Sequence, residues 1–479
     1  MIKNFKWVVL VSLTFMACTN DDSTTSGEAP VTSGTADFSK YVAIGDSFAA
    51  GYSDGALFKK GQENSYPNLL AQQFAAAGGG VFTSPFMAPD NVGGFSSGGV
   101  QVVSQRLYLE SSSGTPTPTL VPGVSANTIT ERLTGSFNNM GIPGAKSFHL
   151  LFNGYAPLNP YFKRIASSTT ATVLGDALSQ NPTFFSLWIG GNDELGYATN
   201  GGVPTSQDPV NGNDLTPTAN FTAAYNALAT QLSANGRKGV VANLPYVTAL
   251  PYFTAVPFNP VPLNAATATQ LNSGYAQYNG GLALAQNAGL ITAAERTRRT
   301  ITFAAGQNAV VMVDSYLTNL SALGLPSLRQ ATSADLLVLP SRSIIGTTVG
   351  GNPVQINGVS VPLEDKWVLS SDEVAEVKAA TDAYNLVIQA AATTNNLAFV
   401  DAKSVMEQLS TTGLNFNTYN MTSTYVTGGS FSLDGVHPSA RGYALITNLF
   451  IDAINAKYGS TLKKKDGRDF EILFPKVIN

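Results

Sequence analysis

The chain has 479 residues, with 27 basic against 31 acidic side chains, a net charge of −4, two histidines and one cysteine. A mildly acidic chain without basic clusters offers nucleic acid no footprint, a lone cysteine excludes an internal disulfide, and two separated histidines leave no ligand set for a metal, so no nucleic-acid partner, metal or cofactor is expected. Charged residues make up only 12% of the chain, a composition that suits a stable extracytoplasmic globular protein.

In chain order, Lys3 and Lys6 precede an apolar run from Trp7 to Ala17 that ends at Cys18. The run is too short for a mature membrane span but suits the core of a signal peptide, expected over 1–17. Phe15-Met16-Ala17-Cys18 resembles a bacterial lipobox, and Cys18 would then be lipidated after cleavage. The polar stretch 18–38 reads as a flexible tether. The resemblance implies membrane attachment through an N-terminal lipid anchor, as an outer-membrane lipoprotein of the cell envelope. The Asp21-Asp22 pair is similar to the acidic tag of surface-exposed lipoproteins. An ordinary signal peptide with an incidental cysteine is the alternative. No later segment offers about 18 uninterrupted apolar residues, so no further span is expected.

From residue 39 onward, strand and helix signals alternate as a parallel sheet requires. Tyr41-Val42-Ala43-Ile44 reads as a buried strand, and the run 183–189 is apolar on both faces, the mark of a central one. A helix follows, with Thr216 as expected N-cap, Pro217 in its first turn, and Phe221, Tyr225, Leu228 and Leu232 on one face; Asn235-Gly236 stop it. Gly239 to Ala242 reads as the next strand. Ser370 and Glu373 form a capping box for a helix with Val374, Val377, Tyr384, Leu386 and Val387 as its apolar positions. Leu397 to Asp401 reads as a strand, and Ser439 to Tyr458 as a last helix stopped by Gly459.

The expected architecture is a doubly wound parallel α/β sheet of about five strands flanked by helices. One domain covers 39–459 and a tail 460–479. Two insertions interrupt it. Residues 78–135, rich in Gly, Ser, Thr and Pro, read as loop. Residues 254–368 hold a helical stretch near Ala265 to Ala285, a strand at Val310 to Asp314 and short Gly/Val-rich strands, and form either a lid or a surface elaboration.

Four short blocks carry the chemistry. Gly45-Asp46-Ser47-Phe48 leaves the first strand on a tight turn, which presents the Ser47 hydroxyl at the carboxyl edge of the sheet, where α/β proteins place their sites. Asn139-Met140-Gly141-Ile142-Pro143-Gly144, Gly190-Gly191-Asn192-Asp193 and Asp434-Gly435-Val436-His437-Pro438 follow in order. A serine hydroxyl needs a base, and His437 has a carboxylate, Asp434, three residues before it that can fix its tautomer. His149 lies in an apolar stretch after Gly144 that reads as the start of a helix; packing explains it.

Together these blocks resemble the GDSL lipolytic family of the SGNH-hydrolase superfamily, with Ser47, Gly144, Asn192 and His437 on the four signature positions. Phe48 stands where the family usually has leucine, and the intervals between blocks are longer than a compact member needs. The resemblance implies a three-layer sandwich, and catalysis by Ser47, Asp434 and His437. It also implies an oxyanion hole from the Ser47 and Gly144 backbone N–H groups and the Asn192 side-chain amide. Gly141 competes with Gly144 for that role. Asp46 and Asp193 are expected to fix loop geometry through nearby N–H groups. Gly94-Phe95-Ser96-Ser97-Gly98 fits the G-x-S-x-G elbow in letters only, because no strand precedes it and no helix follows.

The expected function is that of a lipid-anchored serine esterase or lipase, its substrate a lipid, a short-chain acyl ester or an acylated glycan. A carbohydrate acetyl esterase and a non-catalytic glycan-binding surface lipoprotein are the alternatives.

Overall fold

The computed structural model describes residues 30–112, 114–205 and 212–478. Cys18 and the expected signal peptide lie outside these residues. Five parallel strands organise the chain: β1 (Tyr41–Gly45), β2 (Asn139–Gly141), β3 (Phe184–Trp188), β4 (Lys238–Ala242) and β5 (Ala398–Val400), in the spatial order β5-β4-β3-β1-β2. β1 and β3 are buried at every residue, which is why their sequences are apolar without alternation.

Helices cover both faces. α1 (Ser47–Ala50), α2 (Tyr66–Ala76), α3 (Asn192–Thr199), α4 (Thr218–Ser233), α5 (Ala265–Asn287), α6 (Ser371–Thr394), α7 (Ala402–Thr411) and α8 (Ala440–Tyr458) are the ones that matter here. α2 and α8 pack together on one side, α4 and α6 on the other, giving the three-layer α/β sandwich. Aromatic contacts knit the first side, with Phe38 stacked on Phe74 at 4.0 Å and Tyr66 on Phe450 at 4.7 Å between ring centroids. Among the described residues no helix is long and apolar enough to cross a membrane.

Register sets the site. Gly45 pairs with Gly141 on one side and with Trp188 on the other. The segments that carry Ser47, Gly144 and Asn192 therefore leave three adjacent strands at the same height. α8 begins at Ser439, whose hydroxyl caps the Gly442 N–H, and ends at Gly459 with φ +68°; its N-terminal cap fixes the loop that holds His437.

Four details differ from the sequence expectations. Pro217, not Thr216, is the N-cap of α4. Thr216 is drawn away because its N–H donates to Asp193 O and its carbonyl accepts from the Tyr384 hydroxyl. On α6 the buried positions include Val377, Thr381, Tyr384, Ile388 and Ala391, while Leu386 is 69% exposed; the apolar face follows the three-to-four spacing and Leu386 falls off it. The stretch after Gly144 forms a 3-10 turn over Ser147–Leu151. Residues 78–135 are not all loop. They hold two antiparallel hairpins, Phe95–Ser97 with Val100–Val103 and Leu107–Glu110 with Thr117–Leu120.

Local bonds and two long-range ones hold those hairpins in place. The buried Arg106 guanidinium donates to the carbonyls of Asn91, Leu107, Pro475 and Lys476, and Gln101 donates to Gly93 O and Val103 O. Ser96 sits in the first hairpin with its hydroxyl on Asn127 O, far from any strand-turn-helix elbow. Residues 254–368 build a second apolar cluster around Leu282, Val310, Met312 and Leu337. The short helix Pro251–Thr254 meets the last block, where Tyr252 N–H donates to Gly435 O at 2.9 Å.

Candidate active site

Asp46 caps α1 by accepting the Phe48 N–H at 3.0 Å. Burial pushes its carboxyl up to about 7, against the pull of the Phe48 N–H and of His437. That cap aims Ser47, 7% exposed, at the loop before α8. Ser47 Oγ lies 2.8 Å from His437 Nε2, and His437 Nδ1 lies 2.9 Å from Asp434 Oδ2. The structure thus brings Ser47, His437 and Asp434 into one relay.

Asp434 is held at both oxygens. Oδ1 accepts the Val436 and His437 N–H groups, each at 2.8 Å, and Oδ2 also accepts the Gly55 N–H at 2.8 Å. Burial alone would raise its pKa, but His437 and the backbone donors outweigh it and hold the carboxyl below the usual carboxylate range. Its stabilising contribution is therefore present above the unfolded value of 3.8 and is lost as pH falls through the lower folded value.

Aromatic rings flank the base. Tyr52 lies 4.6 Å and Phe48 5.5 Å from the His437 ring between centroids. Tyr52 is fixed in turn, its hydroxyl donating to Gly55 O at 2.7 Å and its carbonyl accepting from Tyr443 at 2.8 Å.

The segments expected to supply oxyanion donors leave the strands on either side of β1. Asn192 opens α3 and spends one amide N–H on Ala145 O at 3.0 Å, which leaves the second for a ligand. Among the described residues neither the Ser47 N–H nor the Gly144 N–H has a protein acceptor. Gly144 is exposed, at φ +79°, with open space where a Cβ would stand. Gly141 is different: a Cβ there would lie 2.3 Å from Ala50 N, so its glycine lets α1 approach β2. Asp193 fixes the neighbouring loop by accepting the Ser147 N–H and hydroxyl, both at 2.8 Å, and burial raises it to about 6. His149 stays outside the relay, its Nδ1 accepting the Lys146 N–H and its ring stacked on Tyr155.

Sequence reasoning missed the clamp at Asp54-Gly55. Besides the Gly55 bond to Asp434, Asp54 N–H donates to Ser432 Oγ and Asp54 Oδ1 accepts the Leu433 N–H, both at 2.9 Å. Nothing local in the sequence announces partners at the other end of the chain. Asp54 is 1% exposed, and burial raises its pKa from 3.8 to about 7. A raised folded pKa favours folding fully below 3.8, and that contribution fades as pH rises towards 7. Asp54→Asn is accordingly expected to stabilise the protein by roughly 1–3 kcal/mol at pH 8 and to leave it unchanged near pH 3. Thermal melts across that range check it; a variant less stable at pH 8 would contradict the assignment.

Among the described residues no group of three or more His, Cys, Asp or Glu side chains comes together to hold a metal. The arrangement can activate a hydroxyl, deliver its proton to a leaving group and stabilise an oxyanion, which is the chemistry of acyl transfer.

Residues 41–317 match the family model described as GDSL-like Lipase/Acylhydrolase. The chain belongs to that family. It is accordingly a hydrolase of carboxylic ester bonds. The GDSL match takes in Ser47, Gly144 and Asn192 and stops short of Asp434 and His437, whose place beside Ser47 is read from the distances above. Solved structures similar to this GDSL protein include an acetylxylan esterase from Geobacillus stearothermophilus, at 12% identity and TM-score 0.32 over 88% of this chain and 95% of that one. Another is LAE5, an alpha/beta hydrolase from the metagenome of Lake Arreo, at 10% identity and TM-score 0.34 over 88% and 96%. An extracellular lipase from Streptomyces rimosus matches at 13% identity and TM-score 0.30 over 87% and 98%. Likenesses this distant carry no argument about substrate. A comparison with curated proteins returned no match.

Proposed function

We propose that this GDSL-family chain is a lipid-anchored serine esterase or lipase of the cell envelope that cleaves carboxylic esters through an acyl-enzyme on Ser47. The observation that carries the reading is the relay Asp434–His437–Ser47 at 2.9 and 2.8 Å. His437 Nε2 takes the Ser47 proton as Oγ attacks the ester carbonyl, and Asp434 holds the ring in the tautomer that leaves Nε2 free. The carbonyl oxygen becomes an oxyanion facing the Ser47 and Gly144 N–H groups and the Asn192 amide. His437 then gives its proton to the departing alcohol, leaving an ester between Ser47 and the acyl group. Water, deprotonated by the same ring, cleaves that ester and restores Ser47 with release of the carboxylic acid.

The direct test is hydrolysis of p-nitrophenyl acetate and butyrate by the full chain; a folded protein without turnover on any ester would overturn the reading in favour of a binding module. Asn192→Ala is expected to lower kcat by roughly 10²–10³, the loss seen when one oxyanion donor is removed, and steady-state kinetics measure it. Cys18 and the apolar run before it support the anchor, in the lipobox-like setting Phe15-Met16-Ala17-Cys18. More than one acyl chain on one cysteine gives stable attachment, where a single chain gives only reversible binding. Cys18→Ser should move the protein from the membrane fraction to the soluble one; continued sedimentation with membranes would refute the anchor.

A further inference from the structure

The catalytic hydroxyl has an apolar crevice for a neighbour. It runs between α7 and α8 beneath the carboxyl ends of β3 and β5, lined by Ala402, Met406 and Leu409 from α7 and Leu449 from α8. Phe48 and Pro438 complete it, and these are the residues that follow the nucleophile and the base. Ser430 and the Trp188 indole N–H, which donates to Asn243 O at 3.1 Å, are the polar groups in its lining. Its cavity volume is about 60 Å³. The crevice is therefore narrow, which suits a linear chain and not a ring system.

Two general principles and one set of contacts point the same way. Protein interiors are close-packed, and an apolar void forfeits contacts that its lining would otherwise make. An apolar crevice also accepts apolar guests. Finally, one aromatic ring separates the void from the chemistry: the Phe48 ring lies 5.1 Å from Trp188 and 5.5 Å from His437 between centroids, and His437 Nε2 is 2.8 Å from Ser47 Oγ. Phe48 is half-buried, and it is the residue at which this chain departs from the leucine usual in the family's first block.

We propose that this crevice holds the alkyl chain of a medium-chain acyl ester while its carbonyl is at Ser47, with Phe48 as the wall that turns aside to admit it. The inference rests on the acyl-enzyme reading above and names the acyl group that enzyme takes. The chain enters with the substrate and stays through the acyl-enzyme, and it leaves as the free carboxylic acid once water has cleaved the ester on Ser47. The alcohol half departs in the first step and never occupies the crevice.

The test is kcat/KM on p-nitrophenyl acetate, butyrate, octanoate and palmitate, with three variants of the full chain. Each methylene moved from water into an apolar site gains about fourfold, so octanoate is expected to exceed acetate by on the order of 10²-fold or more. Ala402→Met, which fills the crevice with an unbranched side chain, should erase that advantage while acetate turnover stays within about twofold. Leu449→Ala, at a half-buried position, should move the optimum towards longer chains. A flat profile in the parent protein, or a profile that neither folded variant changes, would overturn the inference. A second readout separates it from the acyl-enzyme reading, namely displacement of a fluorescent fatty acid by decanoate from the Ser47→Ala protein. Displacement weakened by adding Ala402→Met supports the crevice even where ester turnover proves independent of Ser47. Absence of any decanoate binding overturns it.

Discussion

Replacing Ser47 by alanine is expected to lower kcat for ester hydrolysis by roughly 10⁵–10⁶-fold, the scale seen when a serine-hydrolase nucleophile is removed. The loss follows from the geometry. His437 Nε2 has Ser47 Oγ as its acceptor or donor partner at 2.8 Å, and without the hydroxyl the ring has no nucleophile to deprotonate. What remains is the proposed oxyanion hole, two backbone N–H groups and the Asn192 amide, which on that reading would still bind a carbonyl and polarise it towards water. Folding should survive, because a hydroxyl at the rim of a site is lost and no buried donor is stranded. Activity assays beside circular dichroism and a thermal melt decide it. A folded Ser47→Ala protein with full turnover would end the acyl-enzyme mechanism. His437→Ala should cost about as much, and the double variant scarcely more than either single one, since the two act as a unit.

The largest expected loss of stability lies elsewhere, at Arg329. This guanidinium is 1% exposed and lies between two carboxylates whose side chains are fully buried. Its Nε donates to Asp314, and its Nη1 and Nη2 donate to Asp335 at 2.7 and 2.6 Å. Burial alone would raise the Asp335 pKa and lower that of Arg329; each partner reverses the effect on the other. Asp335 also accepts the Ser371 N–H at 2.8 Å, so the cluster joins residues 254–368 to the start of α6. Arg329→Met keeps the volume and strands buried charge, which should cost about 3–5 kcal/mol. Arg298, 2.9 Å from Asp314, moderates the loss at one carboxylate but not at Asp335. The sign of the pH dependence is fixed by Asp335. Its folded pKa is depressed, so the stability it contributes is present above 3.8 and lost as pH falls through the folded value. The melting-temperature gap between parent and Arg329→Met should therefore be wide at pH 7, persist to about pH 4 and shrink only as pH falls below 3.8. A gap that does not shrink would mean the cost comes from packing and not from stranded charge.

How much of this could be read from the letters depends on the range of the forces involved. β1 and β3 announced themselves because strands buried on both faces are continuously apolar, and Ser47 and Asn192 follow those runs directly. His437 was legible for a different reason, scarcity: the chain has two histidines, and one lies in an apolar stretch. The Asp434 pairing is local, three residues away. What escaped is non-local. Thr216 looked like a cap by type, yet its backbone is engaged by Asp193 and Tyr384. The hairpins of residues 78–135 are set by Arg106 reaching carbonyls near the far end of the chain. Gly55 supports Asp434 across 379 positions, a separation no local pattern encodes.

That last contact also governs when the protein becomes an enzyme. During synthesis Ser47 emerges 390 positions before its base, and the clamp at Asp54-Gly55 waits equally long for Ser432, Leu433 and Asp434. On the proposed mechanism, a nascent or C-terminally truncated chain would therefore carry the nucleophile without the base that activates it. Hydrolytic competence arrives with the docking of the final helix, so the appearance of activity during refolding is a clock for the last step of assembly.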